Sequence, residues 1–281
     1  MNAQTDALIL RALEEDAPWG DITSEAFLPA TARAVATLVP REPGTLSGIE
    51  VAARVFALVN EEIVVERFAE DGDVFRAGTA LARITGSARS VLRAERVALN
   101  LAQRMSGIAT LTARYVDAVR GTGARIVDTR KTTPGLRMLE RQAVRDGGGR
   151  NHRFSLSDAV LAKDNHLAVL AAQGIPIDEA IRTARAHIGH TAHLEVEVDR
   201  PEQIEQVVSA GVDTIMLDNF TLDELREGVR IVAGRALVEA SGGVNLDTVA
   251  AIAATGVDVI SVGALTHSAR ALDLGLDIEV A

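Results

Sequence analysis

The feature that most constrains this chain is a rhythm in its second half. From residue 125 onward, short apolar runs alternate with amphipathic stretches. The runs are RIVDT (125–129), AVLAKD (159–164), LEVEVD (194–199), TIMLDN (214–219), ALVEASGG (236–243) and VISVGAL (259–265), and the last four begin about twenty residues apart. Strand and helix in regular succession imply parallel βαβ units. Right-handed crossovers make a long series of such units curl towards a barrel. Each run ends in polar or glycine residues: Asp128-Thr129-Arg130-Lys131, Lys163-Asp164-Asn165-His166, Glu197 and Asp199, Asp218-Asn219, Ser241-Gly242-Gly243, and Gly263. The carboxyl ends of barrel strands form the active-site face, so these residues are expected to converge on one mouth.

The first hundred or so residues read differently. TDALILRALEEDA has helical spacing and stops before Pro18, whereas ARAVATLVP, IVVERFAE and ALARITG read as strands separated by glycine and proline turns. EDGDVFRAGTALARITG looks like half of a lipoyl or biotinyl carrier domain, but it contains no lysine to carry such a group. Residues 89–120 form one long helical tract with Gly107 near its middle. The expected fold class is therefore α/β, with an N-terminal α/β sandwich domain (1–107) and a C-terminal α/β, TIM-like barrel (108–268). The tail 269–281 is expected to pack back on the first domain.

Composition narrows the function. Hydrophobic residues make up 47% of the chain and aromatics only 3%, so the core must be aliphatic. The absence of cysteine removes disulfides, thiol nucleophiles and thiolate metal sites. A net charge of −10 argues against nonspecific nucleic-acid binding. No apolar stretch approaches the roughly 18 residues of a membrane span, and the start of the chain does not have the pattern of a signal peptide. The expectation is a soluble, cytoplasmic protein. Residues 129–153 nevertheless hold seven basic residues against Glu140 and Asp146. A basic island in an acidic chain suggests an anionic small-molecule ligand, although a solvated basic helix face would look the same.

Of the 29 basic residues only two are lysine, Lys131 and Lys163, and both fall at strand ends. Arginine offers a planar fork for carboxylates or phosphates; lysine offers a compact point charge. Arg130, Lys131, His152, Arg153 and Lys163 form a candidate cationic group. GGGRNHR (147–153) reads as a mobile loop that delivers His152 and Arg153. Glu197 and Asp218 form an acidic group suited to Mg²⁺ held jointly with substrate oxygens, to sugar hydroxyls, or to salt bridges within the barrel. The turns Ser241-Gly242-Gly243 and Val262-Gly263-Ala264 can present backbone N–H groups to a phosphate. His187, His190 and His193 stand three apart, yet a solvated helix end accounts for them better than a metal site.

At these residues the sequence resembles the quinolinate phosphoribosyltransferases, also called nicotinate-nucleotide pyrophosphorylases (carboxylating). The matching segments are GDITSE (20–25), AERVALN (94–100), DTRKTTPGLR (128–137), AVRDGGGRNHR (143–153), KDNH (163–166), LEVEVD, IMLDN (215–219), ASGGVN (240–245) and GVDVISVGALTHS (256–268). They span nearly the whole chain in order. The resemblance implies an incompletely closed barrel, a homodimer that can assemble further into a hexamer, and a Mg²⁺-dependent reaction. In that reaction quinolinate and phosphoribosyl pyrophosphate give nicotinate mononucleotide, pyrophosphate and CO₂ in de novo NAD synthesis. It implies that Arg130, His152, Arg153 and Lys163 hold the quinolinate carboxylates and that Arg96 enters from the partner subunit. It further implies that Lys131 contacts phosphoribosyl pyrophosphate, with Thr129 also among the substrate-binding residues, that Glu197 and Asp218 hold ribose hydroxyls and Mg²⁺, and that the two glycine turns bind the 5′-phosphate. Pro18-Trp19 departs from the family's usual small turn. A molybdenum-transport branch shares TRKT…PG but usually lacks KDNH, which is present here.

Two other functions compete with this one. A barrel aldolase could use Lys131 or Lys163 as a Schiff base, but it needs a lysine in an apolar pocket, and both lysines have polar or cationic neighbours. A non-catalytic sugar-phosphate sensor would be stabilised by its ligand without turnover.

Overall fold

A computed structural model describes residues 3–280. Along the chain, the first part runs α1 (Ala3–Asp16), α2 (Ile22–Phe27), β1 (Arg33–Pro40), β2 (Gly44–Thr45), α3 (Ile49–Val59), β3 (Val64–Arg67), β4 (Val74–Phe75), β5 (Ala82–Ser87) and α4 (Ala88–Ala118). Next come β6 (Arg125–Val127), α5 (Arg137–Asp146), β7 (Val160–Ala162), α6 (Asp164–Ala172), α7 (Ile177–His187) and β8 (Leu194–Val198). The last part runs α8 (Ile204–Ser209), β9 (Thr214–Asp218), α9 (Leu222–Val232), β10 (Leu237–Ser241), α10 (Val249–Ala253), β11 (Val259–Ser261), α11 (Ala264–His267) and β12 (Leu274–Val280).

These elements form two compact units. The first comprises the chain up to Ala113, Thr133–Gly148 and the segment from Ser268 onward. Its main sheet is antiparallel in the order β12-β1-β5-β3. β1 alternates as its sequence requires, with Ala34, Ala36 and Leu38 buried and the residues between them more exposed. Ala36 pairs with Ile278 on one side and Ile84 on the other, so the C-terminal strand completes this sheet. Ile9, Val55, Phe56 and Val91 from α1, α3 and α4 are buried in the same unit, and no aromatic cluster is needed.

The segment 133–148 belongs to this first unit, whereas the sequence assigned it to the barrel. The cause is a buried charge. Glu140 of α5 is fully buried and accepts Arg104 Nη2 at 2.8 Å, Arg104 Nε at 3.1 Å and the Thr133 N–H at 3.0 Å. A carboxylate taken out of water needs such partners, and α4 supplies them. At Gly147 an added Cβ would lie 2.4 Å from the Ala109 carbonyl oxygen, which excludes any larger residue. The basic island is therefore divided. Arg137, Arg141 and Arg145 go to the first unit, and Arg130, Lys131, Arg150 and Arg153 to the second.

The second unit comprises Arg114–Thr132 and Gly149–His267. Its six strands are all parallel, in the order β6-β11-β10-β9-β8-β7. The two ends of that order, β6 and β7, do not pair, so the barrel is open there. All five residues of β8 are buried, as expected of a parallel strand covered on both faces. Ile215, Leu217, Val238, Ala240 and Ile260 continue this apolar layer. On the other face of the sheet, in register with Thr214 and Met216, Glu195, Glu197 and Glu239 are buried charges. Polar residues this deep are retained only with partners or for a function.

Candidate active site

The cationic side begins where β6 ends. Asp128 is fully buried. Its carboxylate accepts the His152 N–H at 2.8 Å and Asn151 Nδ2 at 2.6 Å. A parallel bridge joins Val127 to Arg150, and the Arg150 N–H donates to the Ile126 carbonyl at 2.9 Å. Together these contacts lay residues 150–152 along the free edge of β6. The glycine run was expected to be a mobile loop, but its second half is pinned by a buried carboxylate more than twenty residues upstream.

This pinning sets Arg153 where it feels the charge of Arg130. Burial and the adjacent charge of Arg130 push the Arg153 pKa below its ordinary value. Arg153 Nη1 donates to the Ala159 carbonyl at 3.0 Å. Arg130 Nε is buried without a hydrogen-bond partner. A buried donor left unpaired costs free energy, and two like charges side by side add to that cost. An anion with several acceptor oxygens relieves both.

His152 turns the other way, into the barrel. Its Nε2 lies 3.1 Å from Glu195 and 3.6 Å from Glu239, and its Nδ1 accepts the Arg153 N–H at 2.8 Å. Both ring nitrogens are therefore engaged within the protein, and in this arrangement the ring offers neither to a substrate carboxylate. Burial opposes a charge on His152, but the hydrogen bonds and charges of Glu195 and Glu239 outweigh it and pull the pKa up to about 10. The amide contact pulls the opposite way, because an acceptor at Nδ1 needs a lone pair there. With Nδ1 accepting that N–H, the ring is neutral with its proton on Nε2, and any additional proton falls to a carboxyl. Burial favours that site too, since it raises the Glu195 pKa.

The two lysines occupy different niches. The Lys131 N–H donates to Thr129 Oγ1 at 3.1 Å, and its carbonyl accepts Thr266 Oγ1 at 2.7 Å. An added Cβ at Gly263 would lie 3.2 Å from Lys131 Cδ and 3.1 Å from His267 Nε2, so the second glycine turn sits under the lysine stem. That turn, Val262-Gly263-Ala264, leads into α11. Lys163, just before α6, forms an ion pair with Glu197. Its N–H donates to His166 Nδ1 at 3.0 Å.

The acidic side and the first glycine turn meet through Asn219. Asp218 accepts Asn219 Nδ2 at 2.6 Å, and the Asn219 N–H donates to the Ser241 carbonyl at 2.9 Å. Gly242 has φ of +89° and packs directly on Asn219; Gly243 has φ of +58° with open space beside it. A cavity of about 690 Å³ opens at the carboxyl ends of β8 and β9, lined by Glu197, Asp218, Asn219, Asp199, Asn165 and Arg200 among others. Glu197 and Asp218 on one cavity wall are hard oxygen donors, and Mg²⁺ fits this set because it is bound by one or two carboxylates plus substrate oxygens. Lys163 satisfies one oxygen of Glu197, so the salt-bridge reading of Glu197 also holds in part.

The second unit thus brings together Arg130 with Arg153, Lys131 with Gly263, Lys163 with Glu197, and Asp218 with Gly242. Arg96 lies exposed on α4, in the first unit. Of the three spaced histidines, His187 Nδ1 contacts the Thr183 carbonyl and His193 Nε2 contacts Thr214 Oγ1. Sequence reasoning placed Asp128 and Asn219 at the mouth without giving either a role, and missed Glu195 and Glu239. The last two left a signal: Glu195 and Glu239 are charges inside otherwise apolar strand runs, where a charge is costly unless paired.

Known proteins place this geometry in a family. Residues 21–106 match the N-terminal domain, and residues 108–277 the C-terminal domain, of quinolinate phosphoribosyl transferase. The chain is 45% identical over 278 residues to the nicotinate-nucleotide pyrophosphorylase [carboxylating] of Mycobacterium leprae, covering 96% of this chain and 95% of that one. It is 40% identical over 287 residues to a mitochondrial quinolinate phosphoribosyltransferase [decarboxylating] of Nicotiana tabacum, covering 95% of this chain and 80% of that one. The crystal structure of NadC from Streptococcus pyogenes superposes with a TM-score of 0.94 at 40% identity, covering 99% of this chain and 97% of that one.

Proposed function

The chain belongs to the quinolinate phosphoribosyltransferase family, and from that premise we propose how its barrel residues carry the family's reaction. The enzyme transfers the phosphoribosyl group of phosphoribosyl pyrophosphate to quinolinate with decarboxylation, giving nicotinate mononucleotide, pyrophosphate and CO₂ in de novo NAD biosynthesis. The observation that carries the site assignment is the buried, unpartnered Nε of Arg130, whose charge acts on the neighbouring Arg153.

In our reading, Arg130 and Arg153 bind the two quinolinate carboxylates, with Lys163 beside them. His152 contributes by holding the Arg153 main chain. Lys131 and Thr129 face the pyrophosphate of the donor, and Asp218 and Glu197 face its ribose. The turns Ser241-Gly242-Gly243 and Val262-Gly263-Ala264 take the 5′-phosphate on backbone N–H groups. Glu197 and Asp218 would hold Mg²⁺, which neutralises charge on the departing pyrophosphate.

The C1–O bond of the ribose breaks with its electron pair leaving on pyrophosphate, whose charge Lys131 stabilises. Asp218 and Glu197 stabilise the cationic character that develops on the ribose. The quinolinate nitrogen supplies the lone pair for the new C1–N bond. The resulting pyridinium accepts the electron pair of the adjacent C–C bond as CO₂ leaves, and a proton then replaces it on the ring. The protein contributes orientation and charge rather than a nucleophile. Arg96, exposed on α4, is available to reach the site of a partner subunit in a homodimer, which can stack further into a hexamer. We further propose a cytoplasmic location; among the described residues no helix is long and apolar enough to cross a membrane.

Steady-state kinetics test the site assignment. Arg130→Ala and Arg153→Ala should each raise the KM for quinolinate at least about tenfold, the scale of one lost charge-assisted hydrogen bond. The KM for phosphoribosyl pyrophosphate should stay within about twofold. An unchanged quinolinate KM in either folded variant would overturn the assignment.

A further inference from the structure

Behind His152 stand two glutamates to which the reaction as described gives no part. Glu195 and Glu239 are only 4% and 3% exposed and come from β8 and β10, with β9 between them. Both direct a carboxylate oxygen at His152 Nε2, and the other oxygen of each is buried without a hydrogen-bond partner. Two unneutralised carboxylates at this depth would be severely penalised. They persist because what they hold is needed. Through His152 that chain of contacts leads to Arg153: carboxylate to Nε2–H, then Nδ1 to the Arg153 amide at 2.8 Å. Asp128 fixes the same residue from behind by accepting the His152 N–H. Glu195 also acts directly on the Arg153 guanidinium, favouring its charged form.

A metal ion is the obvious competitor. One ligand atom each from His152, Glu195 and Glu239 lie within 4.8 Å of one another, and a histidine with two glutamates is a common donor set for zinc. The tautomer speaks against it. A metal on Nε2 needs the lone pair there and a proton on Nδ1, which normally donates outward to an acceptor. Here Nδ1 faces an N–H donor instead. The ring is arranged to give a proton to the carboxylates, not to share a metal with them.

We propose that Glu195 and Glu239 are positioning residues for the quinolinate-binding arginines, acting through His152 as a strut. The cluster holds the Arg153 main chain in register with Arg130, so that two guanidinium forks stand ready for a dicarboxylate. Its second effect is electrostatic. The buried Glu195 carboxylate favours the charged form of Arg153 against the charge of Arg130. Preorganisation of this kind lowers the cost of binding more than any new contact with the ligand would. The inference rests on the assignment of Arg130 and Arg153 to quinolinate.

The test compares Glu195→Ala, Glu239→Ala, their Gln counterparts and Arg153→Ala in the assembled enzyme. Gln keeps an acceptor oxygen for Nε2–H; Ala removes it. The Ala variants should raise the quinolinate KM about tenfold, the scale of leaving one buried hydrogen-bonding group unpaired. The KM for phosphoribosyl pyrophosphate should stay within about twofold, and Gln should restore most of the loss. If Arg153→Ala raises the quinolinate KM while both folded Ala variants leave it unchanged, the strut is refuted and the arginine assignment survives. If Arg153→Ala itself has no effect, the assignment fails and takes the strut with it. Nitrogen-15 NMR of histidine-labelled wild-type enzyme needs no variant to fold. It should show His152 neutral with its proton on Nε2; an imidazolium, the opposite tautomer, or a shift on adding Zn²⁺ would overturn the proposal.

Discussion

Gly242 is the position where the fold and the proposed phosphate site can be separated by one methyl group. Its φ of +89° lies beyond the left-handed well that an L residue tolerates. A Cβ there would stand 2.2 Å from Asn219 Oδ1 and 2.8 Å from the Asn219 backbone nitrogen. The side-chain contact can yield by rotation. The backbone contact cannot, because the Asn219 N–H is hydrogen-bonded to the Ser241 carbonyl. Backbone strain of about 1–3 kcal/mol and overpacking of about 1–3 kcal/mol give roughly 2–6 kcal/mol for Gly242→Ala. Gly243→Ala is the control. Its φ of +58° lies inside the left-handed well with nothing nearby, so it should cost only about 1–2 kcal/mol. At about 2–4 °C per kcal/mol, Gly242→Ala should lower Tm by roughly 10 °C and Gly243→Ala by roughly 3 °C. Moving Asn219 also disturbs its bond to Asp218, so the KM for phosphoribosyl pyrophosphate should rise in Gly242→Ala. Thermal melts and initial rates of both variants check this. Equal melting shifts, with an unchanged KM in Gly242→Ala, would refute the packing argument.

Other consequences can be tested independently. Burial, reinforced by the charge of Asp146, raises the Asp71 pKa to about 6 even though the Ile49 N–H donates to it. The folded state then binds more protons than the unfolded chain between about pH 4 and 6, so stability falls as pH rises through that window. Asp71→Asn keeps an acceptor for Ile49 and should flatten this decline by at most about 2–3 kcal/mol in urea titrations; parallel profiles for the two proteins would contradict it. For the proposed shared site, inactive Arg96→Ala and Lys131→Ala homodimers should regain activity when mixed, because some mixed dimers carry one intact site. Lack of recovery after proven subunit exchange would rule out sharing.

The parts of the fold that were legible in the sequence are those set by local pattern. The six barrel runs fall on β6 to β11 with their ends shifted by a few residues, and the tract 89–120 is the helix Ala88–Ala118. Strands buried on both faces read as apolar runs, and their polar ends mark the mouth. What was not legible depends on distant partners. The direction of His152 is set by Asp128, Glu195 and Glu239, none of them near it in sequence. The assignment of 133–148 to the first unit depends on Arg104 finding Glu140. Lys163 and Glu197, 34 residues apart, form a pair that spacing alone could not suggest. Each of the two lysines at strand ends has its own structural role: one stem covers Gly263, and the other neutralises Glu197.

The central claim is that the residues at the barrel mouth perform a Mg²⁺-dependent, decarboxylating phosphoribosyl transfer. The most direct test incubates the pure protein with quinolinate, phosphoribosyl pyrophosphate and Mg²⁺ and measures nicotinate mononucleotide and CO₂ together, beside Lys131→Ala and a chelated control. The account predicts equal amounts of both products from the wild type, and loss of both without Mg²⁺ or in the folded Lys131→Ala variant. Undiminished product formation by folded Lys131→Ala, or by the wild type after chelation, would contradict it.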